Sequence, residues 1–99
     1  MSVIYFDLET TGINNANGHR GVQILAIGAV SEYGATFHRY LYPECEIDPR
    51  ATNVHGIQLT DGRLYKNGVL KQNAVDQITG LELFMDWLQD QDANCLVTF

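Results

Sequence analysis

Four stretches of the chain combine apolar, β-branched and aromatic residues in a way that predicts β-strands. The first is predicted over residues 3–9 and the second over 23–30, where apolar side chains are nearly continuous, as in a strand covered on both faces. The third, over 35–42, has a histidine and an arginine within an aromatic run, which favours a place nearer the sheet edge. Residues 13–22 are rich in Asn and Gly and predict a loop. The order predicts an antiparallel meander.

Two helices and a last strand are predicted after the meander. Asp48 is a suitable N-cap before a proline, and Gly56 is placed to end a short helix. A longer helix is predicted over residues 80–91, because Thr79 and Glu82 form a capping-box pattern ahead of apolar residues at helical spacing. The side chains expected to pack onto the sheet are Leu81, Phe84 and Leu88.

The chain finishes on an apolar stretch that predicts a buried strand over residues 96–99. A strand that follows a helix is expected to run parallel to the first strand. The pattern as a whole therefore predicts an α/β fold with a three-stranded meander, helices and a parallel fourth strand.

Composition narrows the class of protein. A chain of 99 residues is expected to hold one domain at most, so residues 1–99 are treated as one unit. Twelve acidic residues against six basic ones argue against a protein that coats nucleic acid non-specifically, unless bound divalent cations supply positive charge.

The N-terminus lacks a basic leader, and no apolar stretch reaches the roughly 18 residues of a membrane span, so we expect a soluble, intracellular protein with no membrane partner.

The first strand ends on two carboxylates that are candidates for metal ligands. Residues two apart on a strand point to the same face, so Asp7 and Glu9 should lie side by side. Oxygen ligands of this kind suit Mg²⁺ or Mn²⁺, and a pair of such ions can promote phosphodiester hydrolysis. A solvated acidic pair is the alternative, since most acidic residues are simply exposed.

Four segments of the sequence resemble the DEDDh-type 3′–5′ exonuclease family, which includes the proofreading subunit of bacterial DNA polymerase and ribonuclease T. The resemblance covers essentially the whole chain and implies a ribonuclease H-like fold with a two-metal site. It is carried by Val3-Ile4-Tyr5-Phe6-Asp7-Leu8-Glu9-Thr10-Thr11-Gly12, by Ile24-Leu25-Ala26-Ile27-Gly28-Ala29-Val30, by Ala51-Thr52-Asn53-Val54-His55-Gly56-Ile57 and by the predicted helix from Thr79 to Leu88.

The resemblance also implies roles for particular residues. Asp7 and Glu9 would be catalytic metal ligands, and the implied nucleotide-binding residues are Thr10, Thr11, Gly12, Val54 and His55. Turn capping is the alternative for the two threonines, and a favourable place at a helix C-terminus is the alternative for His55. The implied partner is a single-stranded or frayed 3′ end of DNA or RNA.

Later motifs implied by the resemblance are missing from the 99 residues. The family needs a further aspartate in an H-N-x-x-F-D-like stretch and then H-x-x-x-x-D, and neither is present. We therefore expect a truncated fold, the N-terminal part of a single exonuclease domain with an incomplete two-metal site. Three functions stay open: the N-terminal part of an active exonuclease, a non-catalytic module that binds nucleic acid or protein, and a remnant that self-associates through its truncated edge.

Overall fold

The computed structural model describes residues 1–12 and 22–98, which form seven strands and two helices. The predicted loop over 13–22 lies almost entirely outside the described residues. The elements in chain order are β1 (Ser2–Thr10), β2 (Ile24–Ser31), β3 (Thr36–Tyr40), α1 (Pro49–His55), β4 (Ile57–Thr60), β5 (Arg63–Lys66), β6 (Val69–Leu70), α2 (Gln77–Asp90) and β7 (Ala93–Thr98).

The main sheet has four strands in the order β3-β2-β1-β7. β2 pairs antiparallel with both β1 and β3, whereas β7 pairs parallel with β1. The predicted meander and the parallel fourth strand are therefore confirmed. This mixed α/β arrangement agrees with the ribonuclease H-like fold that the resemblance implies.

α2 covers one face of the main sheet. Its Phe84 is buried and packs with Ile27 and Leu41, while Trp87 and Leu88 pack around them. The predicted packing of Phe84 and Leu88 is confirmed.

The predicted packing of Leu81 is wrong, because this side chain is 42% exposed. Gly80 brings the helix backbone against Leu41, which turns Leu81 toward the rim of the interface. The helix also begins earlier than predicted: Asp76 is the N-cap and accepts a hydrogen bond from the Thr79 amide at 2.7 Å, in place of a cap at Thr79.

A second, three-stranded sheet in the order β4-β5-β6 was not predicted. Its two connections are Asp61-Gly62 and Asn67-Gly68, in which all four residues have positive φ. Such pairs are the preferred residues of two-residue hairpin turns, and here they turn the chain between strands. Ile57 and Leu64 are fully buried and pack against Leu25 of β2.

β7 differs from its prediction in length and in burial. It begins at Ala93, and Leu96 and Val97 are 50% and 38% exposed. The prediction of a buried strand is therefore wrong for the described residues, because β1 provides its backbone pairing and little covers its side chains.

Among the described residues, no helix is long and apolar enough to cross a membrane.

Candidate metal and nucleotide site

The two faces of the main sheet have different chemistry. Phe6, Ala29 and Phe37 lie in one row across β1, β2 and β3, on the face that α2 covers. The neighbouring residues along each strand point to the other face. Asp7 and Glu9 therefore lie together on the face away from α2, as the spacing predicts.

Two rows across the sheet place other residues next to these carboxylates. Asp7 is opposite Gly28, which in turn is opposite His38. Glu9 is opposite Ala26, which is opposite Tyr40. The strand register thus puts an imidazole and a phenol on the same face as the acidic pair.

A cavity of about 210 Å³ contains both carboxylates and is closed on one side by the second sheet. His38, Tyr40 and Lys66 line it together with Asp7 and Glu9. Sequence reasoning missed these three neighbours, because their positions depend on strand register and on a hairpin that was not predicted. The H-x-Y spacing of β3 would have placed His38 and Tyr40 on one face, but not next to the acids.

Gly28 leaves room between Asp7 and His38. A methyl group on this glycine would come within 3.6 Å of His38 Cδ2, which is ordinary van der Waals contact. The backbone therefore tolerates a side chain here, and the absence of one keeps the floor of the cavity open.

The end of β1 is held in place by several backbone contacts. A register shift lies between Glu9 and Thr10, as is common for β-bulges next to functional sites. Thr11 is fully buried, its hydroxyl accepts a hydrogen bond from the Gln23 amide at 3.1 Å, and its carbonyl accepts one from the Asp48 amide at 2.8 Å. These bonds give Thr11 a structural role in the described chain.

Gly12 allows α1 to approach this strand end. Its φ is +96°, and a side-chain carbon there would lie 2.8 Å from Asp48 Cβ and 3.2 Å from Ala51 Cβ. A larger residue would be strained in the backbone and would also push away the start of α1. Thr10 accepts a weak hydrogen bond from the Gly12 amide at 3.4 Å.

His55 is buried at the end of α1 and links this helix to the end of β1. Its Nδ1 accepts a hydrogen bond from the Ile57 amide at 3.0 Å, so this nitrogen carries no proton. Its Nε2 therefore donates to the Thr10 carbonyl at 2.9 Å. The Lys66 amine also donates to the His55 carbonyl.

Val54 and His55 differ strongly in exposure, although they are neighbours. The Val54 side chain is 85% exposed, whereas His55 is 6% exposed. The predicted nucleotide contacts of both residues stay predictions, and the geometry gives His55 a structural role whether or not it also contacts a ligand.

His38 lies near two lysines as well as near the acidic pair. Burial lowers the pKa of the His38 imidazole below its ordinary value, and the charges of Lys71 and Lys66 lower the pKa further. The ring is therefore mainly neutral at neutral pH. Lys66 lines the same cavity as the acidic pair, and both lysines of the chain lie near His38, against an overall charge of −6.

The donor atoms of the site suit a hard divalent cation. Asp7 and Glu9 offer carboxylate oxygens on one side of a strand, open to a cavity that water can enter. Among the described residues, no group of three or more His, Cys, Asp or Glu side chains is arranged to hold a metal ion. The pair fits a Mg²⁺ or Mn²⁺ ion that takes its other ligands from water or substrate.

The fold and the acidic pair define a class, α/β proteins with a carboxylate site on one face of a ribonuclease H-like sheet. A sequence model of the ribonuclease T family, described as exonuclease, matches residues 4–97. The chain belongs to this exonuclease family, since the match covers nearly its whole length. The predicted resemblance to the N-terminal part of a DEDDh-type 3′–5′ exonuclease is thereby confirmed.

Curated relatives of the chain include subunits of bacterial DNA polymerase. DNA polymerase III subunit epsilon of Pasteurella multocida is 37% identical, over 96% of this chain and 47% of its own length. The subunits of the same name from Salmonella typhimurium and Escherichia coli are 39% and 45% identical, over 81% and 54% of this chain and over 36% and 25% of their own lengths. The chain thus spans less than half the length of these relatives.

Proposed function

We propose that residues 1–99 form the N-terminal part of a single domain that removes nucleotides from DNA 3′ ends. One observation carries the proposal: the two carboxylates of the family's first motif lie together in an open cavity on one face of the sheet. The name of the relatives, DNA polymerase III subunit epsilon, favours DNA over RNA as the substrate.

In this proposal Asp7 and Glu9 hold Mg²⁺ or Mn²⁺. Such ions, when bound, activate water and stabilise the leaving oxygen of a phosphodiester. The strand end then positions the terminal nucleotide: Thr10 offers its hydroxyl, Gly12 permits close approach of the backbone, and Val54 offers an exposed apolar surface at the end of α1. Thr11 and His55 contribute by fixing this strand end, through the bonds described above.

The metal assignment is tested by titration with Mn²⁺. Replacing Asp7 by Asn and Glu9 by Gln keeps the size of both side chains and removes the charges. The matched control is Glu82→Gln with Asp86→Asn, because these acids lie exposed on α2 and the charge change is the same. We expect the control to bind Mn²⁺ like the original chain, and the site variant to lose binding in calorimetry and in paramagnetic NMR broadening.

Equal Mn²⁺ binding by the site variant and the original chain would contradict the assignment. It would leave the family intact and favour the non-catalytic module that binds nucleic acid or protein. Weak binding is expected in any case, since two protein carboxylates are few ligands for a tight oxygen site.

We further propose that these 99 residues alone do not hydrolyse nucleic acid at a useful rate. The resemblance implies a histidine general base and further aspartates, and the three histidines present, His19, His38 and His55, all precede the position where that motif belongs. General-base assistance typically contributes about 10²–10⁴-fold. A 3′-labelled single-stranded oligonucleotide with Mn²⁺ tests this, and robust release that disappears in Asp7→Ala would contradict it.

Self-association is part of the same proposal, through the exposed side of β7. Leu96 and Val97 leave an apolar strand flank uncovered in the described chain. Unpaired strand edges of this kind favour pairing between copies.

A further inference from the structure

The cavity that contains the carboxylates continues along β3. His38 and Tyr40 line it, and they also line a second cavity of about 400 Å³. The second cavity extends to Lys71, Gln72 and Asn73, beyond the end of β6. The two cavities therefore adjoin at these two side chains, and together they make a depression that runs from Asp7 and Glu9 past His38 and Tyr40 to Lys71.

We propose that this depression, the β3 track, binds the single-stranded DNA that leads to the 3′ terminus. The β3 track is defined by His38, Tyr40, Lys71, Gln72 and Asn73. The inference rests on the proposed function for the position of the 3′ end, and extends it to the nucleotides upstream of that end.

Charge complementarity favours a polyanion as the occupant. The chain has two lysines, and both lie beside the track: Lys71 lines the larger cavity and Lys66 lines the cavity of the carboxylates. The Lys66 amine donates to the His55 carbonyl, whereas the Lys71 amine lies 5.1 Å from the centre of the Tyr40 ring. Lys71 is therefore the amine better placed to meet a phosphate. The net charge of −6 repels nucleic acid from the chain as a whole. The two lysines beside the track make this one region locally attractive to a polyanion.

The aromatic rings of the track suit nucleotide bases. The centres of the His38 and Tyr40 rings are 4.8 Å apart and the rings meet edge to face. His38 is exposed, so one face of its ring is available to a base, while Tyr40 packs partly on the core and holds it in place. Aromatic faces next to a cationic groove are the usual means of binding single strands without sequence preference.

The amides of Gln72 and Asn73 complete the chemistry. Both side chains are exposed on the rim of the second cavity and can donate to phosphate or base oxygens. The volume of this cavity lies within the range of sites for small organic ligands. It is thus large enough for a nucleotide, and its lining includes amide donors, two aromatic rings and the two cationic side chains of Arg39 and Lys71.

The test measures binding of a fluorescein-labelled single-stranded DNA of about 12 nucleotides to the 99-residue chain by anisotropy, in EDTA. The variants are Lys71→Gln and His38→Ala, and the matched control is Arg63→Gln. Arg63 lies at the start of β5 in the second sheet, is exposed and lines neither cavity. Arg63→Gln removes one positive charge, as Lys71→Gln does. Circular dichroism shows whether each variant stays folded, which is expected because Lys71 and His38 are not in the core clusters.

We expect Lys71→Gln to weaken binding about fivefold or more, and to reduce the slope of log K against log salt by about 0.7, the value for one phosphate contact on a single strand. His38→Ala should weaken binding about fivefold or more through lost stacking. Arg63→Gln should change it by less than about twofold.

The inference is overturned if either folded track variant binds DNA as tightly as Arg63→Gln. It is also overturned if a polyglutamate peptide displaces the DNA at equal charge concentration, because the occupant would then be an acidic protein segment. Binding in EDTA does not depend on metal, so these outcomes are separate from the Mn²⁺ titration. If the Mn²⁺ titration contradicted the metal site while Lys71→Gln still bound DNA more weakly than Arg63→Gln, the metal assignment would be wrong and DNA binding through the track would stand.

Discussion

His55 connects three parts of the site through one ring and one carbonyl. The ring joins the Thr10 carbonyl to the Ile57 amide, and the carbonyl receives the Lys66 amine. A histidine is well suited to this position, because its neutral ring has a donor and an acceptor on opposite sides.

Replacing His55 by Ala should lower the free energy of unfolding by about 2–4 kcal/mol. The reason is that two backbone groups next to the core would lose their partners, each at a cost of about 1–3 kcal/mol. Urea denaturation measures the change. Val54→Ala is the control, since that neighbouring side chain is 85% exposed and should change stability by less than about 0.5 kcal/mol. Equal stabilities for the two variants would show that the His55 bonds do not hold the strand end.

Gly80 lets the backbone of α2 lie directly against the side chain of Leu41. A methyl group added there would meet this side chain, with Leu41 Cγ at 2.5 Å. Leu41 is fully buried among the residues of the core.

We expect Gly80→Ala to destabilise the protein by about 1 kcal/mol, although alanine is the better helix former. Overpacking costs about 1–3 kcal/mol, and the gain in helix propensity is about 1 kcal/mol. Thermal or urea unfolding measures the result, with Glu82→Ala on the exposed side of the same helix as the control. A Gly80→Ala chain as stable as the original would mean that α2 can move away from the sheet at little cost.

The two helix caps should make stability depend on pH. The Arg50 side chain, and then its amide, hold the pKa of the Asp48 carboxyl below its ordinary value. The amide of Thr79, and then its hydroxyl, do the same for the pKa of Asp76. Because both carboxyls are more acidic in the folded state, their contribution is complete above about pH 4 and is lost as pH falls below it.

Unfolding midpoints measured from about pH 6 to about pH 2.5 test this dependence. Asp48→Asn and Asp76→Asn retain a capping oxygen and cannot ionise, so the midpoint of each should fall less steeply with acid than that of the original chain. Asp86→Asn, at an exposed site on α2, should leave the slope unchanged. The same slope in all chains would mean that neither cap is linked to the acid transition.

Local patterns predict most of the main sheet and both helices. The strands of the meander, the Asp48 cap and the Gly56 stop follow from apolar runs and turn residues that act over a few positions. The second sheet has an equally local signal in Asp61-Gly62 and Asn67-Gly68, two pairs that are typical of hairpin turns.

The candidate site is less accessible to sequence reasoning than the fold. The spacing of Asp7 and Glu9 predicts their common face, because strand alternation is local. The acidic pair has three neighbours that strand alternation does not predict: His38, Tyr40 and Lys66. Their positions depend on strand register and on how the second sheet packs on the main sheet. Burial of Thr11 and His55 was also not predictable, since neighbours distant in sequence enclose them.

The exposed flank of β7 gives the whole molecule an apolar edge. Leu96 lines a cavity of about 490 Å³ together with Met85 and Leu88, and the next residue, Val97, is 38% exposed. This flank is the part of the surface through which we propose self-association.

Leu96→Glu should shift the chain toward monomer in sedimentation velocity at a fixed concentration, because a charge on this flank opposes pairing. The control is Val69→Glu, which places the same charge at a residue 60% exposed on the second sheet. An unchanged distribution in Leu96→Glu, or an equal shift in both variants, would contradict association through β7.

The pairing of β1 with β7 also has a consequence for the order of folding. Ser2 donates its hydroxyl to the Gln91 carbonyl, 89 positions along the chain, and β7 is parallel to β1. Contacts this distant in sequence close late, whereas hairpins close early. We expect pulse-labelled hydrogen exchange during refolding to protect the β4-β5 amides before those shared by β1 and β7. During synthesis on a ribosome, the interior strand made first would therefore keep one edge unpaired until nearly all 99 residues had emerged.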